Sequence, residues 1–495
     1  MRYFLILPFL LLFTHSKANF EMSDNMKNAY SYILSLDINN AKIVLKNEKK
    51  INPNNGIIYL YENYIDFLYL LINEDEVLFK DLSRNKLKRI KNIKLNDKSS
   101  PYYLYSQAEI YLQCSFISIK FGEYVRGAYE IQKAYFLLKK NINLFPDFYL
   151  NNKILGILNV LIGSIPEEYQ WITNLIGMEG DVNTGFNRLN KFFLLTQENP
   201  KYTQYSVETI FLLSFLQMNI SNDIDDYKIL LSIIDNQYKT NKLLKLCAAR
   251  LASKLGDNEL NSQILNHKFE EDQTLPIYYF DYLLGMSELY KLNYNLASKH
   301  FKIFLKNFKG KNYIKSSYHK LALISFLLND ENSMQKYFNL TLLNGDVFIE
   351  EDKKAQKDVE LNLLPHPVLL EARLLYDGGY YLKALNCIEK VGNPSYFSDI
   401  NNIVEYWYRK ARISQRIDDS SSKIIEYFSQ AYNKGKELKT YFVPMAALQI
   451  GYEYEKMGNL SNAREFYKKC LEFSDFDYER GIHQKAKVAL VRLNP

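Results

Sequence analysis

Apolar positions return every three to four residues along most of this chain. From Asp24 to about Leu36, and again up to Pro53, the pattern predicts two helices separated by a short polar turn at Asp37 to Asn40. Ser115, Gly127, Ile131 and Ala134 mark a second pair, whose later helix runs long before Pro146. Val207 to Met218 with Tyr227 to Tyr238 read as a third pair, and Leu243 to Leu255 with Leu260 to Phe269 as a fourth. Period-two alternation is missing from the sequence, and with it any Asn-Gly turn joining two alternating segments, so the pattern predicts an all-α chain with no β domain.

Small residues add a second rhythm. Ala29 and Ala41, Gly285 and Ala297, Ala372 and Ala384, and Gly451 and Ala463 each stand twelve positions apart, and Leu45, Phe301, Ile388 and Tyr467 follow the second member by four. Two antiparallel helices approach closely only where small residues face each other, with larger residues one turn away filling the flanking gaps. Tyr32 and Tyr454 add an aromatic to the first helix of their pairs, Pro53 ends the first unit, and Glu288 departs from the aromatic. This spacing is similar to that of tetratricopeptide repeats. Hairpins that cannot bury their faces alone do so by stacking, so the expected fold is a right-handed α-solenoid of helical hairpins.

The stretch from Leu155 to Leu189 is the most heavily punctuated. Gly185 takes the alanine position of a repeat with Leu189 four residues on, as at Gly127, Ile131 and Ala134; Pro166 starts a helix, Trp171 points inward, and Gly177 to Asp181 forms a turn with Asp181 as N-cap. Gly156, Pro166, Gly177, Gly180, Asp181, Gly185 and Leu189 together resemble the tetratricopeptide-repeat family that includes the mitochondrial outer-membrane inclusion-body-clearance protein and its animal relatives. Val182 stands where that family commonly has a basic residue. The resemblance implies an all-helical repeat scaffold rather than a chemistry.

At 495 residues and 58.3 kDa the chain exceeds any single small core, and its 19 glycines and 12 prolines against 41 tyrosines and 30 phenylalanines suit many helices joined by short turns. Arg2, the apolar run Tyr3 to Phe13, and Ser16 with Ala18 predict a secretory signal peptide over residues 1–18. No cysteine follows the cut, so a lipid anchor is not expected, and no later run reaches transmembrane length. Cleavage removes Arg2 and Lys17 and no acid, lowering the net charge from +6 to +4. So small an excess on so large a chain argues against nucleic acid as a partner. With the Asn, Lys, Ile and Tyr bias, these features predict an exported protein of an AT-rich bacterium, in the periplasm or at the outer-membrane periphery. Two regions are expected, 19–345 and 346–495, divided where the charged run Glu350 to Lys357 leads into Pro365 and Pro367, or joined as one continuous solenoid.

Candidate chemistry is sparse. Cys114, Cys247, Cys387 and Cys470 lie far apart as small packing residues, and His267, His300, His319, His366 and His483 form no metal-binding pair. Adjacent acids such as Glu167 and Glu168 point apart on a helix, and no nucleophile signature occurs, so no enzyme activity, metal or cofactor is expected. Arg84, Lys86, Lys88, Arg89, Lys91, Lys94 and Lys98 interleave with Leu87, Ile90 and Ile93, predicting a solvated basic face over an apolar stripe. Arg84, Lys88 and Lys91 are its candidates for contact with anionic lipid or an acidic partner, as a peripheral membrane association. Tyr102, Tyr103 and Tyr105 are expected to be exposed and free to stack on sugar rings. The expected function is a non-catalytic scaffold that binds a protein or peptide on its concave face, with glycan or envelope-polymer binding as the alternative.

Overall fold

The computed structural model describes residues 19–165, 177–221, 223–269 and 273–493. The predicted signal peptide, Pro166 and Trp171 lie outside them. The described residues form helices without a strand; one isolated bridge joins Asn19 to Asn55.

Helical hairpins are the building unit. In the first half they pair α1 (Asp24–Leu34) with α2 (Ile38–Ile51), α3 (Ile57–Asn73) with α4 (Glu76–Ile93), and α5 (Tyr102–Lys120) with α6 (Tyr124–Leu144). Next come α7 (Leu150–Gly163) with α8 (Val182–Glu198) and α9 (Ser206–Leu216) with α10 (Ile224–Ile234), followed in sequence by α11 (Lys242–Lys254) and α12 (Asn258–Asn266). The second half pairs α13 (Tyr279–Tyr290) with α14 (Tyr294–Asn307) and α15 (Ile314–Leu327) with α16 (Glu331–Leu343). A single helix, α17 (Glu350–Glu360), precedes the pair α18 (Pro367–Asp377) and α19 (Tyr381–Glu389). The chain then runs through α20 (Ile400–Arg416), α21 (Ser421–Gly435), α22 (Phe442–Lys456), α23 (Leu460–Leu471) and α24 (Glu479–Arg492). The fold is an all-α array of tetratricopeptide-like hairpins.

One turn recurs, and it explains the twelve-residue spacing. Leu36, Gly122, Leu292, Asn329, Gly379 and Gly458 all have positive φ, each five residues before the position where the second helix meets the first. The next residue's N–H bonds back into the first helix: Asp37 to the Tyr32 carbonyl, Asp330 to Ser325 and Asn459 to Tyr454, at 2.8–2.9 Å. This is the hydrogen bond of a left-handed C-terminal cap, which satisfies an otherwise orphaned carbonyl. The same residue then caps the second helix, since the side chains of Asp37, Asp330 and Asn459 accept from the N–H three residues on. A fixed turn of this kind fixes the register of whatever faces across it.

The small residues sit in that register. Ala29, Ala41, Ala297, Ala372, Ala384 and Ala463 are fully buried, as are Phe301 and Tyr467; Ala134 and Leu189 are too, and Leu45 nearly so. Gly285 lies so close to Phe301 that a Cβ would stand 2.7 Å from the ring. Gly156 on α7 and Gly185 on α8 face each other across an interface that excludes even a methyl group. Asp181 caps α8 by accepting from the Thr184 N–H at 2.7 Å, and Gly180 is half-buried beside Gly163. Ala322 with Met334 and Phe338 forms a further hairpin of the same spacing, hidden in the sequence because methionine replaces the small residue.

Other expectations are corrected. Tyr32 is 37% exposed, and its neighbour Tyr30 fills the core instead, because Tyr32 falls on the last turn beside the cap. Tyr454 is only half-buried, against Phe466. Pro53 does stand just beyond the end of α2, and the four cysteines are free thiols, three of them buried, as packing residues should be.

The chain separates into two compact units. One runs up to Leu255 and takes in Gln263–Phe280 and Asn307–Asn312; the other comprises Gly256–Ser262, Asp281–Lys306 and Tyr313–Pro495. The charged run near residue 345 is α17, fastened to the second unit by Asp352. That fully buried carboxylate accepts from the backbone N–H groups of Tyr313 and Ser316, at 2.6 and 2.8 Å, and so caps α15.

Candidate functional site

In the first unit, polar side chains from the first helices of five hairpins close on one another. Lys153 on α7 places its Nζ 2.6 Å from Glu109 Oε1 on α5, 2.6 Å from Glu208 Oε2 on α9 and 3.0 Å from the Tyr64 hydroxyl on α3. Tyr30 on α1 donates to Glu208, and the Tyr64 hydroxyl lies against both carboxylates. The rings of Tyr64, Tyr105 and Tyr205 stand 5.8–5.9 Å from the ammonium. All of these groups are buried.

One ammonium cannot neutralise two carboxylates. Burial pushes Glu109 up from its ordinary range, with Lys153 opposing and Glu208 adding to the shift. Burial works against the Lys153 ammonium, yet the two glutamates outweigh it and hold it charged. The cluster fastens five helices by their polar groups. Its members are spent on the core, and Tyr105, expected to be exposed, is among them. Tyr102 and Tyr103 are half-buried, Tyr102 edge-on to Phe148. The three tyrosines do not form an open platform.

The second unit is arranged otherwise. Between α18, α20 and the start of α22 lies a cleft of about 270 Å³, walled by Arg373 and Tyr376, by Tyr408, Arg409 and Arg412, and by Tyr441. Arg409 is spoken for by Glu405, whose Oε1 accepts from its Nε at 2.6 Å. Arg412 stacks over Tyr376 at 5.7 Å and donates to Gln415 at 3.2 Å. Among the described residues, no carboxylate lies within ion-pair distance of Arg373 or of Lys320, which stands beside it on α15. Burial and the Arg373 charge push the Lys320 ammonium down to about 8. Asp377 is the acid of the cleft; burial raises it, against the pull of Arg373 and Arg409. Cations exceed anions in a partly desolvated space, and stacked guanidinium groups keep their N–H edges free for a planar acceptor.

The basic helix α4 is only half as predicted. Arg84, Lys88 and Lys91 are exposed, but Lys86 is buried against Glu130 and Arg89 against Asp66 (2.7 Å) and Asn63 (3.1 Å). The buried stripe runs Leu82, Lys86, Arg89, Ile90 and Ile93, whereas Leu87 is 62% exposed. The true register starts at Leu82, and the lysine one turn on is drawn inward by a glutamate of the next hairpin. Among the described residues no helix is long and apolar enough to cross a membrane, and no cluster of His, Cys, Asp or Glu could hold a metal.

The cleft residues went unnoticed in the sequence, although a signal was there. In a chain whose basic residues are mostly lysine, Arg373, Arg409, Arg412 and Arg416 fall close together on two first helices.

No family model matches the sequence, and no characterised protein sequence aligns with it. Solved structures with some likeness include the TPR domain of P58(IPK), at 14% identity over 84% of this chain and 97% of that one, with a TM-score of 0.21. Yeast Tom70 shows 13% identity over 87% and 97%, with a TM-score of 0.22. Naa15/Naa10 bound to HypK-THB shows 12% over 94% and 66%, with a TM-score of 0.25. The fold assignment rests on the hairpins described above.

Proposed function

We propose that this protein is a non-catalytic interaction scaffold that holds an acidic segment of a partner protein in the cleft between α18, α20 and α22. The observation that carries the reading is the basic set Lys320, Arg373 and Arg412, which Asp377 offsets only in part, set among tyrosine rings. An extended peptide supplies carboxylates for the guanidinium forks and apolar stems for the rings, and such surfaces bind by charge complementarity. A sugar would meet too few unpaired acceptors here, and the tyrosines first considered for that role are partly or wholly buried.

Fluorescence polarisation with labelled peptides tests the reading. Peptides rich in Asp and Glu should bind, while lysine-rich and uncharged peptides of equal length should not. Arg373→Glu and Arg412→Glu should each weaken binding at least about tenfold, in line with losing a charge-assisted contact. Equal affinity for acidic and uncharged peptides, or indifference to both substitutions, would sink the idea.

A further inference from the structure

The outer side of the first unit has a composition that the inner cleft does not explain. We infer that the second helices α2, α4 and α6 form a docking face for a bilayer containing anionic phospholipid.

Those helices are neighbours. Lys42, Lys46 and Lys49 of α2 line a cleft of about 330 Å³ with Arg89 of α4, floored by Ile65 and Asp66 of α3. From α4, Lys86 reaches Glu130 on α6, and Arg126 of α6 lies 5.4 Å over the Phe79 ring of α4. Their outward surfaces are continuous, and positive charge dominates them. Lys42, Lys46 and Lys50 on α2, Lys88 and Lys91 on α4, and Lys133 and Lys140 on α6 are all exposed. The acids near this surface are fewer: Glu48 and Glu130 are buried, Glu76 lies in the first turn of α4, Asp81 pairs with Arg84 at 2.9 Å, and Glu62 of α3, which also lines the cleft, pairs with Lys49 at 3.4 Å.

Large apolar side chains project among the lysines. Ile43 on α2, Leu87 on α4, and Val125, Tyr129 and Phe136 on α6 are between 46% and 88% exposed. Isolated exposed apolar residues are ordinary. Several on adjoining helices, among lysines that outnumber the acids, have the makeup of an interfacial membrane surface, with apolar groups entering the acyl boundary and ammonium groups resting at headgroup phosphates. The apolar component is what favours a bilayer over nucleic acid, whose backbone contacts would use the lysines alone.

The full chain should cosediment with vesicles of phosphatidylcholine containing phosphatidylglycerol, and remain in the supernatant with pure phosphatidylcholine. Each lysine near an anionic surface contributes several-fold to binding, so the quadruple variant Lys42→Glu, Lys46→Glu, Lys88→Glu, Lys91→Glu should lose at least about 100-fold. All four positions are exposed, and circular dichroism and acidic-peptide binding should be unchanged. Leu87→Ser with Phe136→Ser should leave a weaker association that salt abolishes. The inference is overturned by vesicle binding that ignores lipid charge, by a quadruple variant that still sediments, or by duplex DNA or RNA that binds more tightly than the vesicles and displaces them.

Discussion

Gly185→Ala tests the close-packing account at its sharpest point. At a solvent-facing helical position, replacing glycine by alanine stabilises a protein by about 0.5–1 kcal/mol, because alanine loses less freedom on folding. At Gly185 the new Cβ would stand 2.5 Å from Val160 Cγ2 and 2.7 Å from both the Gly156 carbonyl oxygen and the Val160 nitrogen. Two of these three are backbone atoms, which no rotamer change can move aside. An unstrained carbon–oxygen contact is about 3.3–3.6 Å, so α7 and α8 would have to part by well over half an ångström. That strain costs about 1–3 kcal/mol in a packed interior, enough to cancel the alanine gain and leave a net loss. Gly481, in the first turn of α24, is the internal control, since it is exposed and a Cβ there meets nothing within 4 Å. Gly481→Ala should raise the urea midpoint while Gly185→Ala lowers it. Hydrogen exchange should show the loss concentrated in α7 and α8, with Gly185→Leu opening that pair outright. Wild-type protection of α7 and α8 in Gly185→Ala, alongside the expected gain at Gly481, would refute the reasoning.

Three further outcomes are expected. Lys153→Met should destabilise the first unit by about 3–5 kcal/mol, since it strands two buried carboxylates. Proton uptake by those acids in the folded state then makes the variant's stability fall as pH rises above the unfolded glutamate value of about 4.3, so its deficit should shrink on acidification; a deficit independent of pH in urea titrations would contradict this. Acidic-peptide affinity should fall as pH rises from 7 to 9, because the ammonium of Lys320, already pushed down to about 8, loses its proton over that range, and Lys320→Met should flatten the profile. The proposed export predicts, from mass spectrometry of protein recovered from its native cell, a mature chain beginning at Asn19.

The hairpins were legible wherever the helix contact uses a small residue, because an alanine or glycine pair at that fixed spacing is what two helices in close contact require. They faded where Met334 fills that position, whereas Gly185, read as a repeat position despite its longer separation from Gly156, does meet it. The sites were less legible, for a different reason. Periodicity shows which residues a helix buries but not which charges a neighbouring helix will neutralise. Lys86 looked solvated until Glu130 came in from the next hairpin, Arg89 until Asp66 reached it from α3 across its own, and Lys153 was invisible without the four helices that surround it. Tyr105 failed in the same way, its environment being supplied by residues remote in sequence.

The Lys153 cluster also alters when the protein can fold. In a simple repeat array each hairpin needs only its neighbours, so structure can grow as the chain is made. Here the hydroxyl of Tyr30 awaits Glu208, a partner 178 residues downstream. At roughly 5–20 residues per second, that separation is about 10–40 s of synthesis, during which α1, α3 and α5 must hold half-finished polar groups away from one another or from water. The first unit should therefore close late and in one step, and it is the portion of the chain most dependent on protection while it emerges.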